Sequence, residues 1–186
     1  MRVIAGSARS IPLVTPEGLK TRPTTDKIKE TLFNILQFDI ADCVFIDIFA
    51  GSGALGIEAL SRGAAHAFFI DSGREADGCI RQNLKKCRLE QAADVYRMDA
   101  LRGIDKLKLK LDADHRRIIM MDPPYDKGLE FPVLKKLIDD GIAEEDSIII
   151  VETSLKGDIT EALSYGYELQ KEKIYKNQKH FFLKKI

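Results

Sequence analysis

The stretch CVFIDIFAGSGALGIEAL, residues 43–60, runs from an apolar segment through a glycine-rich turn into a helical pattern. The segment before the glycines is apolar and rich in β-branched and aromatic residues, which predicts a buried strand. Gly51, Gly53 and Gly56 follow with the spacing G-x-G-x-x-G. Glycines at a strand-to-helix turn permit a tight bend, and they let a ligand lie against the main chain near the positive end of the helix. The stretch predicts the opening strand, turn and helix of an α/β sheet, with the glycines serving either a cofactor or the turn alone.

Apolar runs and helical patterns keep alternating after this stretch. Strands are predicted at 43–48, 67–71, near 98, 117–122 and 147–152, and helices at about 54–62, 74–88, up to 110, at 130–140 and at 158–164. Apolar strands separated by helices imply a parallel sheet covered on both faces. Two last strands, 167–175 and 180–185, are separated by too few residues for a helix and must be antiparallel. The predicted fold class is α/β: a Rossmann-like, mostly parallel seven-stranded sheet with helices on both faces and a C-terminal antiparallel hairpin.

Residues 1–38 precede the first strand and are predicted to be an N-terminal extension of a domain that spans residues 39–186. Residues 3–5 and 11–14 could form a hairpin or edge strands. A helix is predicted to begin near Asp26 and to run to about residue 37. Its apolar positions share one face and are expected to pack on the sheet domain. They are Ile28, Leu32, Ile35 and Leu36.

Length and charge restrict the class of protein. A chain of 186 residues is long enough for one domain with a real core. No apolar run approaches the roughly 20 residues that span a bilayer, so no membrane partner is predicted. The 29 basic and 29 acidic residues balance, but residues 1–38 carry a local charge of +3, residues 171–186 one of +5, and the middle one of −8. If both ends flank a ligand site, they form a rim that contacts phosphates around an acidic pocket.

Cysteine and histidine usage predicts no metal site. Cys43, Cys79 and Cys87 are odd in number and contain no Cys-x-x-Cys pair, which supports neither a disulfide framework nor zinc binding. Reduced thiols of a cytoplasmic protein are expected. His66, His115 and His180 are scattered at the edges of predicted elements, and no catalytic role is assigned to them.

An acid lies at or next to the carboxyl end of each of the first four predicted strands: Asp47, Asp71, Asp99 and Asp122. In open α/β sheets ligands bind at that edge. One such acid is often only a helix cap, but four aligned carboxylates repel one another unless a cationic or hydroxyl-rich ligand lies among them. NAD would bring a pyrophosphate that the acids repel. S-adenosylmethionine brings a sulfonium, an ammonium group and a ribose, and is the predicted cofactor.

The sequence Asp122-Pro123-Pro124-Tyr125 directly follows the fourth predicted strand. Two prolines remove two N–H donors, so the loop offers the Asp122 carboxylate and main-chain carbonyls as acceptors. Such a loop suits a substrate that presents N–H groups, for example the exocyclic amino group of a nucleobase. Tyr125 offers a ring on which a flipped base could stack. The loop is predicted to bind an amino group that accepts a methyl group, and it does not by itself distinguish guanine from adenine.

Together these motifs resemble a known family. The glycine turn FAGSGALGIE (residues 49–58) and the Asp-Pro-Pro-Tyr loop are similar to those of class I S-adenosylmethionine-dependent amino-methyltransferases. The segments RVIAG (2–6) and RPTTDKIKETLFNIL (22–36) narrow the resemblance to bacterial 16S rRNA (guanine-N2) methyltransferases of the RsmD type. It covers essentially the whole chain. It implies methylation of one guanine of 16S rRNA in the cytoplasm, with a 30S assembly particle as the expected substrate.

The resemblance also implies roles for individual residues. The methionine moiety of the cofactor would lie along Asp47, Phe49, Gly51 and Gly53, with Asp71 on the ribose, Asp99 on the adenine amino group and Asp122 beside the cofactor. The catalytic set would be Asp122, Pro123 and Tyr125, and Arg22, Thr24, Pro124 and Tyr125 would contact the substrate. Residues 9–13 read RSIPL where the family usually has a more basic stretch, which predicts fewer phosphate contacts there. Asp71 stands where Glu is more frequent and reaches less far toward the ribose.

Three other functions remain open at the level of sequence. A methyltransferase acting on adenine N6 of DNA or RNA, or on a protein glutamine, would use a similar loop. An NAD-dependent oxidoreductase would use a similar glycine turn. An RNA-binding assembly factor without catalysis would keep the basic ends. The oligomeric state is not predicted.

Overall fold

A single seven-stranded sheet forms the centre of the molecule, which the computed structural model describes over residues 1–16, 26–111, 114–125 and 127–186. The strand order is β3-β2-β1-β4-β5-β7-β6. The first five strands are parallel, and β7 is antiparallel to both β5 and β6. The mostly parallel sheet and its C-terminal hairpin are therefore confirmed. The strands are β1 Val44–Ile48, β2 His66–Asp71, β3 Ala93–Arg97, β4 Arg117–Met121, β5 Ile148–Ser154, β6 Tyr167–Ile174 and β7 Gln178–Lys185.

Helices cover both faces of the sheet, as predicted. The helices are α1 Asp26–Ile35, α2 Ala54–Ser61, α3 Arg74–Cys87, α4 Ala100–Leu107, α5 Glu130–Asp139 and α6 Thr160–Leu163, and a 3₁₀ helix lies at Glu90–Ala92. Side chains of α1, α2 and α3 share one hydrophobic cluster with one sheet face, and those of α4, α5 and α6 share a second cluster with the other. No helix in the described parts of the chain is long and apolar enough to cross a membrane.

The predicted N-terminal hairpin forms in part: an antiparallel bridge joins Arg2 to Pro12, and three main-chain hydrogen bonds connect residues 1–3 with residues 10–13. The amides of Ile4 and Ala5 donate to the Glu58 carboxylate instead of to a partner strand, and this interrupts the ladder. Two helices are also shorter than predicted, because α1 ends at Ile35 and α4 ends at Leu107, where turns replace regular helix. The residues just before α1, 17–25, lie outside the described residues.

One buried carboxylate, that of Glu58 in α2, joins the N-terminal residues to the sheet. It accepts hydrogen bonds from the amides of Ile4 at 2.8 Å and Ala5 at 3.0 Å. It also forms ion pairs with the Lys29 ammonium at 3.1 Å and the Arg62 guanidinium at 2.8 Å. The side chains of Lys29 and Glu58 are fully buried, and Lys29 donates to the Arg2 carbonyl at 2.6 Å. The N-terminal residues and α1 are thus held against α2, while the boundary predicted after residue 38 stays a prediction.

Glu58→Gln is expected to lower the free energy of unfolding by about 3–5 kcal/mol, because it leaves the buried Lys29 ammonium without its anion. Lys29→Met is expected to cost less, about 1–3 kcal/mol, because Glu58 keeps Arg62 and two amides. Lys27→Met, at an exposed lysine of the same helix, is the control and should change stability by about 0.5 kcal/mol or less. Urea denaturation measures all three. Equal midpoints for Glu58→Gln and Lys27→Met would contradict the role of Glu58.

Candidate active site

The glycine turn after β1 leaves its main chain open to a ligand. Gly51 and Gly53 have φ of +55° and +73°, and Phe49 between them and β1 also has a positive φ of +65°. A Cβ at Gly51 would meet no atom within 4 Å, so the main chain there is accessible. A Cβ at Gly56 would lie 2.3 Å from the ring of Phe69, so only glycine lets α2 approach β2 this closely. The turn therefore serves both helix packing and access to the main chain.

Asp47 is a buried acid in β1, 3% exposed, that faces the start of α2. Its carboxyl group accepts a hydrogen bond from the Gly56 amide at 3.0 Å. Burial raises the pKa of Asp47 to about 8, the nearby Asp71 adds to the rise, and the hydrogen bond from Gly56 opposes it. Asp47 is therefore mostly protonated at pH 7, and a cation bound beside it would favour the ionised form.

Asp71 at the end of β2 forms hydrogen bonds with the main chain of the glycine turn and of the loop that follows β2. One carboxylate oxygen accepts from the Gly51 amide at 2.9 Å, and the other accepts from the Gly73 amide at 2.7 Å. The 20-residue spacing between Gly51 and Asp71 thus corresponds to a direct contact. Each oxygen keeps a second lone pair that a ligand hydroxyl could use, and the role of Asp71 toward a ribose stays a prediction.

Asp99, the third acid, is exposed and caps α4. Its side chain accepts from the Arg102 amide at 3.1 Å and lies 3.5 Å from the Arg102 guanidinium. These partners agree with the helix-cap interpretation of a single acid. The contact between Asp99 and an adenine amino group stays a prediction.

Asp122 follows β4 directly and lies beside β1, where its amide donates to the Ile48 carbonyl at 3.3 Å. Met121 pairs with Val151, so Asp122 lies beside Glu152 at the end of β5. Burial raises the pKa of Asp122 well above its ordinary value, and the carboxylates of Glu152 and Asp47 raise it further. Pro123 is buried and Pro124 is exposed. Asp47 and Asp122, which were predicted at the carboxyl ends of the first and fourth strands, therefore lie close enough to interact, because β1 pairs with β4.

Tyr125 extends from the same loop with 38% of its surface exposed. Its hydroxyl donates to the Glu152 carboxylate at 2.6 Å. Burial and the neighbouring Glu152 raise the pKa of the Tyr125 hydroxyl, which therefore stays protonated. The hydroxyl fixes the ring at the edge of the site, where an exposed part of the ring is available for stacking.

Glu152 and His180 are two buried residues that no sequence motif indicated. Glu152 lies next to Asp122 and contacts both Tyr125 and His180. The two residues are directly paired between β5 and β7, and the Glu152 carboxylate lies 2.9 Å from Nε2 of the fully buried His180. Glu152 could have been found, because it ends an apolar strand as the four recognised acids do. His180 depends on the register of β7 against β5, which no local pattern indicates.

Asn83 in α3, also missed, connects the N-terminal residues with the glycine turn. Its side chain accepts from the Val14 amide at 2.8 Å and donates to the Val14 carbonyl at 2.9 Å and the Ser52 carbonyl at 3.0 Å. The chain at Val14 therefore lies beside the turn. Arg22 and Thr24, which were predicted to border the active site, lie outside the described residues.

The predicted basic rim is smaller than the sequence indicated. Lys29 is fully buried and contributes no charge to the surface. Lys184 and Lys185 pair with Glu168 and Tyr167 at the start of β6, on the edge of the sheet opposite the active site. The register of β7 instead places Lys179, paired with Thr153 near the end of β5, on the same edge as Glu152. Only part of each basic terminus can therefore contact a substrate bound there.

The described residues contain no group of three or more His, Cys, Asp or Glu side chains that could hold a metal ion. What the edge does contain is a glycine turn with accessible main chain and a set of acids, two of which have raised pKa values. This combination suits a ligand with cationic and N–H groups.

The sheet order, with its reversed β7 beside β5, and the accessible glycine turn after β1 define the class I methyltransferase fold. The solved structure of Escherichia coli yhhF, provisionally described as a methyltransferase, superposes with a TM-score of 0.80. It is 31% identical, and the match covers 100% of this chain and 97% of that one. The predicted fold class is therefore confirmed.

The chain belongs to the family described as Conserved hypothetical protein 95, whose model matches residues 1–184. It is 33% identical over 174 residues to Ribosomal RNA small subunit methyltransferase D of Escherichia coli K12, which covers 94% of this chain and 84% of the relative. It is also 41% identical over 164 residues to a Bacillus subtilis protein provisionally named rRNA methyltransferase YlbH, with 88% of each chain covered. The resemblance inferred from the sequence motifs is thereby confirmed.

The raised pKa of Asp47 predicts a pH-dependent stability. Between about pH 4 and pH 8 the folded protein holds a proton on Asp47 that the unfolded chain has lost, so the free energy of unfolding should fall as pH rises through this range. Asp47→Asn should flatten that fall and make the variant more stable than the wild type at pH 8. Urea midpoints at pH 5, 6.5 and 8 measure the effect, with Glu145→Gln at an exposed acid as the control. An unchanged slope in Asp47→Asn would contradict the assignment.

Proposed function

We propose that the protein transfers a methyl group from S-adenosylmethionine to the N2 amino group of a guanine in 16S ribosomal RNA. The observation that carries the proposal is the position of the Asp-Pro-Pro-Tyr loop: it follows β4 directly, and its half-buried Asp122 lies beside the strand that leads into the glycine turn. An acceptor-rich loop next to a cofactor turn suits an amino group that receives a methyl group. The names of the ribosomal RNA methyltransferases to which the chain is similar support ribosomal RNA as the acceptor.

The residues at the glycine turn fit S-adenosylmethionine. The accessible main chain at Gly51 gives the cofactor a surface to lie on, with Phe49 and Gly53 on either side. Asp47, a buried acid with a raised pKa, is suited to a cationic group. We propose that these residues hold the methionine moiety, that Asp71 binds the ribose hydroxyls, and that Asp99 binds the adenine amino group. A pyrophosphate would be repelled by Asp71 and by the ionised form of Asp47, which disfavours NAD. When bound, S-adenosylmethionine supplies a methyl group activated by a sulfonium sulfur.

The residues of the loop orient the guanine amino group. The Asp122 carboxyl group and the Pro123 carbonyl accept its two N–H bonds, which favours a pyramidal nitrogen with an available lone pair. Tyr125 stacks on the flipped base, and Pro124 lies at the exposed side of the loop. Such positioning can account for about 7–11 kcal/mol of an activation barrier. Arg22 and Thr24 remain proposed substrate contacts.

A modest basic surface favours a particular form of the substrate. Because Lys29 is buried and Lys184 and Lys185 lie at the opposite edge, fewer of the described lysines can contact phosphates near the site than the charge of the two termini implies. We therefore propose that the substrate is a 30S assembly particle, in which other proteins present the guanine, and that the reaction takes place in the cytoplasm. Residues 1–38 act in this proposal as an extension on the cofactor side of the methyltransferase domain.

Cofactor binding should release protons. If a cationic group of the ligand lies beside Asp47, the pKa of that carboxyl falls from about 8 on binding, and close to one proton leaves at pH 7. Calorimetry with S-adenosylhomocysteine in two buffers of different ionisation enthalpy measures the release, and Asp47→Asn should abolish it. NADH in the same cell is the control ligand and should not bind. Binding of NADH without binding of S-adenosylhomocysteine would support an oxidoreductase instead.

Methyl transfer itself tests the proposed acceptor. With radiolabelled S-adenosylmethionine and undermethylated 30S particles, the wild type should label one guanine of 16S rRNA, as located by mass mapping. Asp122→Ala should lose the activity and still bind S-adenosylhomocysteine, whereas Asp139→Ala, at an exposed acid, should keep both. Tyr125→Ala should lose more activity than Tyr125→Phe, because stacking requires the ring. Label on adenine, or on DNA alone, would overturn the guanine assignment.

A further inference from the structure

Glu152 is the centre of a buried hydrogen-bond network that the proposed reaction does not yet use. One of its carboxylate oxygens receives the Tyr125 hydroxyl at 2.6 Å, and the other lies 2.9 Å from Nε2 of His180. The Asp122 carboxyl group lies next to it, because Met121 pairs with Val151 in the register of β4 against β5, and Glu152 raises the pKa of Asp122. The side chain of Glu152 is 4% exposed, and that of His180 is fully buried. Bulk water therefore does not solvate this carboxylate, and the network provides its polar partners.

The network determines where the proton of the two carboxyl groups lies. Two carboxyl groups can share a hydrogen bond only if one of them is protonated. Glu152 already receives two other hydrogen bonds, which stabilise its ionised form, so the shared proton belongs to Asp122. Nε2 of His180 carries the proton of its contact with Glu152, because an ionised carboxylate can only accept, and Nδ1 lies 3.4 Å from the Tyr175 hydroxyl.

The electrostatic surroundings favour a proton on Asp122. Asp122 and Tyr125 face Glu152 from the loop after β4, His180 faces it from β7, and Tyr175 follows β6. Asp47 on β1 faces Asp122 from the other side and disfavours a negative charge there. Lys179, the nearest lysine along β7, is engaged by Glu172 at 2.9 Å, and Lys173 pairs with His180 in the register of β6.

We propose that Glu152 receives the proton released during methyl transfer, with Asp122 as a neutral relay between the guanine amino group and Glu152. This inference rests on the proposed function. As the amino nitrogen forms its bond with the methyl carbon, the carbon–sulfur bond breaks and its electron pair stays on sulfur. The nitrogen then gives one proton to the free oxygen of Asp122, while the proton already on Asp122 passes to Glu152. Asp122 ends neutral as it began, and Glu152 ends protonated.

His180 and Tyr125 act in this proposal as positioning residues. Each donates a hydrogen bond that holds the Glu152 carboxylate ionised and oriented toward Asp122 before the reaction. Without the His180 donor the Glu152 carboxylate should more often be protonated before the reaction, and it would then be less often available to receive the proton. A glutamine at position 180 can place its amide nitrogen near the former Nε2 position, whereas a leucine cannot donate at all.

The decisive variant is Glu152→Gln, which keeps the size of the side chain and cannot accept the proton. On 30S particles its kcat should fall by about 100-fold or more, the usual contribution of proton transfer. KM for the particle and the affinity for S-adenosylhomocysteine should stay within about twofold of the wild type, since Glu152 touches neither ligand. Glu168→Gln, at an exposed acid of β6, is the control and should be fully active. His180→Gln should retain most of the activity that His180→Leu loses.

A second measurement tests the location of the proton without activity. Infrared difference spectra between the wild type and each variant, both ligand-free at pH 7, should show two bands of protonated carboxyl groups. Asp122→Asn should remove one of these bands, and Asp47→Asn should remove the other. Absence of the Asp122 band would overturn the relay, and so would a Glu152→Gln variant with the kcat of the wild type. A wild type that transfers no methyl group to guanine would instead overturn the proposed function and, with it, the relay. The infrared result also decides the case in which Glu152→Gln fails to fold.

Discussion

The parallel alignment of β1 with β2 and β4 brings their carboxyl ends to one edge of the sheet, and the site depends on how the acids at that edge are neutralised. Each acid is accommodated differently. Asp71 accepts hydrogen bonds from two main-chain amides, burial raises the pKa values of Asp47 and Asp122, and Glu152 contacts the side chains of Tyr125 and His180. Without these hydrogen bonds and raised pKa values, the carboxylates would repel one another at an edge of the sheet that water solvates poorly. The same arrangement leaves an edge that gains stability when a cation binds.

The N-terminal residues reach this edge through buried polar contacts and not through strand pairing. Glu58 holds the amides of Ile4 and Ala5 together with Lys29, and Asn83 holds the main chain at Val14 beside Ser52. Both anchors are side chains of helices on one face of the sheet. The first strand-like residues therefore continue the wall of the site instead of extending the sheet.

The fold was predictable because its strands are apolar runs of ordinary length and its glycine turn has a specific spacing. Asp47, Asp71 and Asp122 were predictable for the same reason: the end of a parallel strand fixes which edge a residue occupies. The partners of these acids were not predictable. Glu152 and His180 meet only because β7 runs antiparallel to β5 in one register, and a local pattern carries no information about that register. The environment of Lys29 was predicted wrongly. A lysine in an amphipathic helix is expected at the surface, but Lys29 is buried against Glu58.

The burial of Lys29 also lowers the number of basic side chains that are available to bind RNA. A count of charges treats every lysine of a terminus as available, but one has its charge inside the protein and two lie at the far edge of the sheet. The electrostatic attraction to phosphates is therefore weaker than the segregation of charge along the sequence implies. In the proposed function, recognition of the target then depends more on the shape of the site and on the acceptors of the Asp-Pro-Pro-Tyr loop. Because these groups act only on a base that is already exposed, the geometry favours a substrate whose fold presents the guanine.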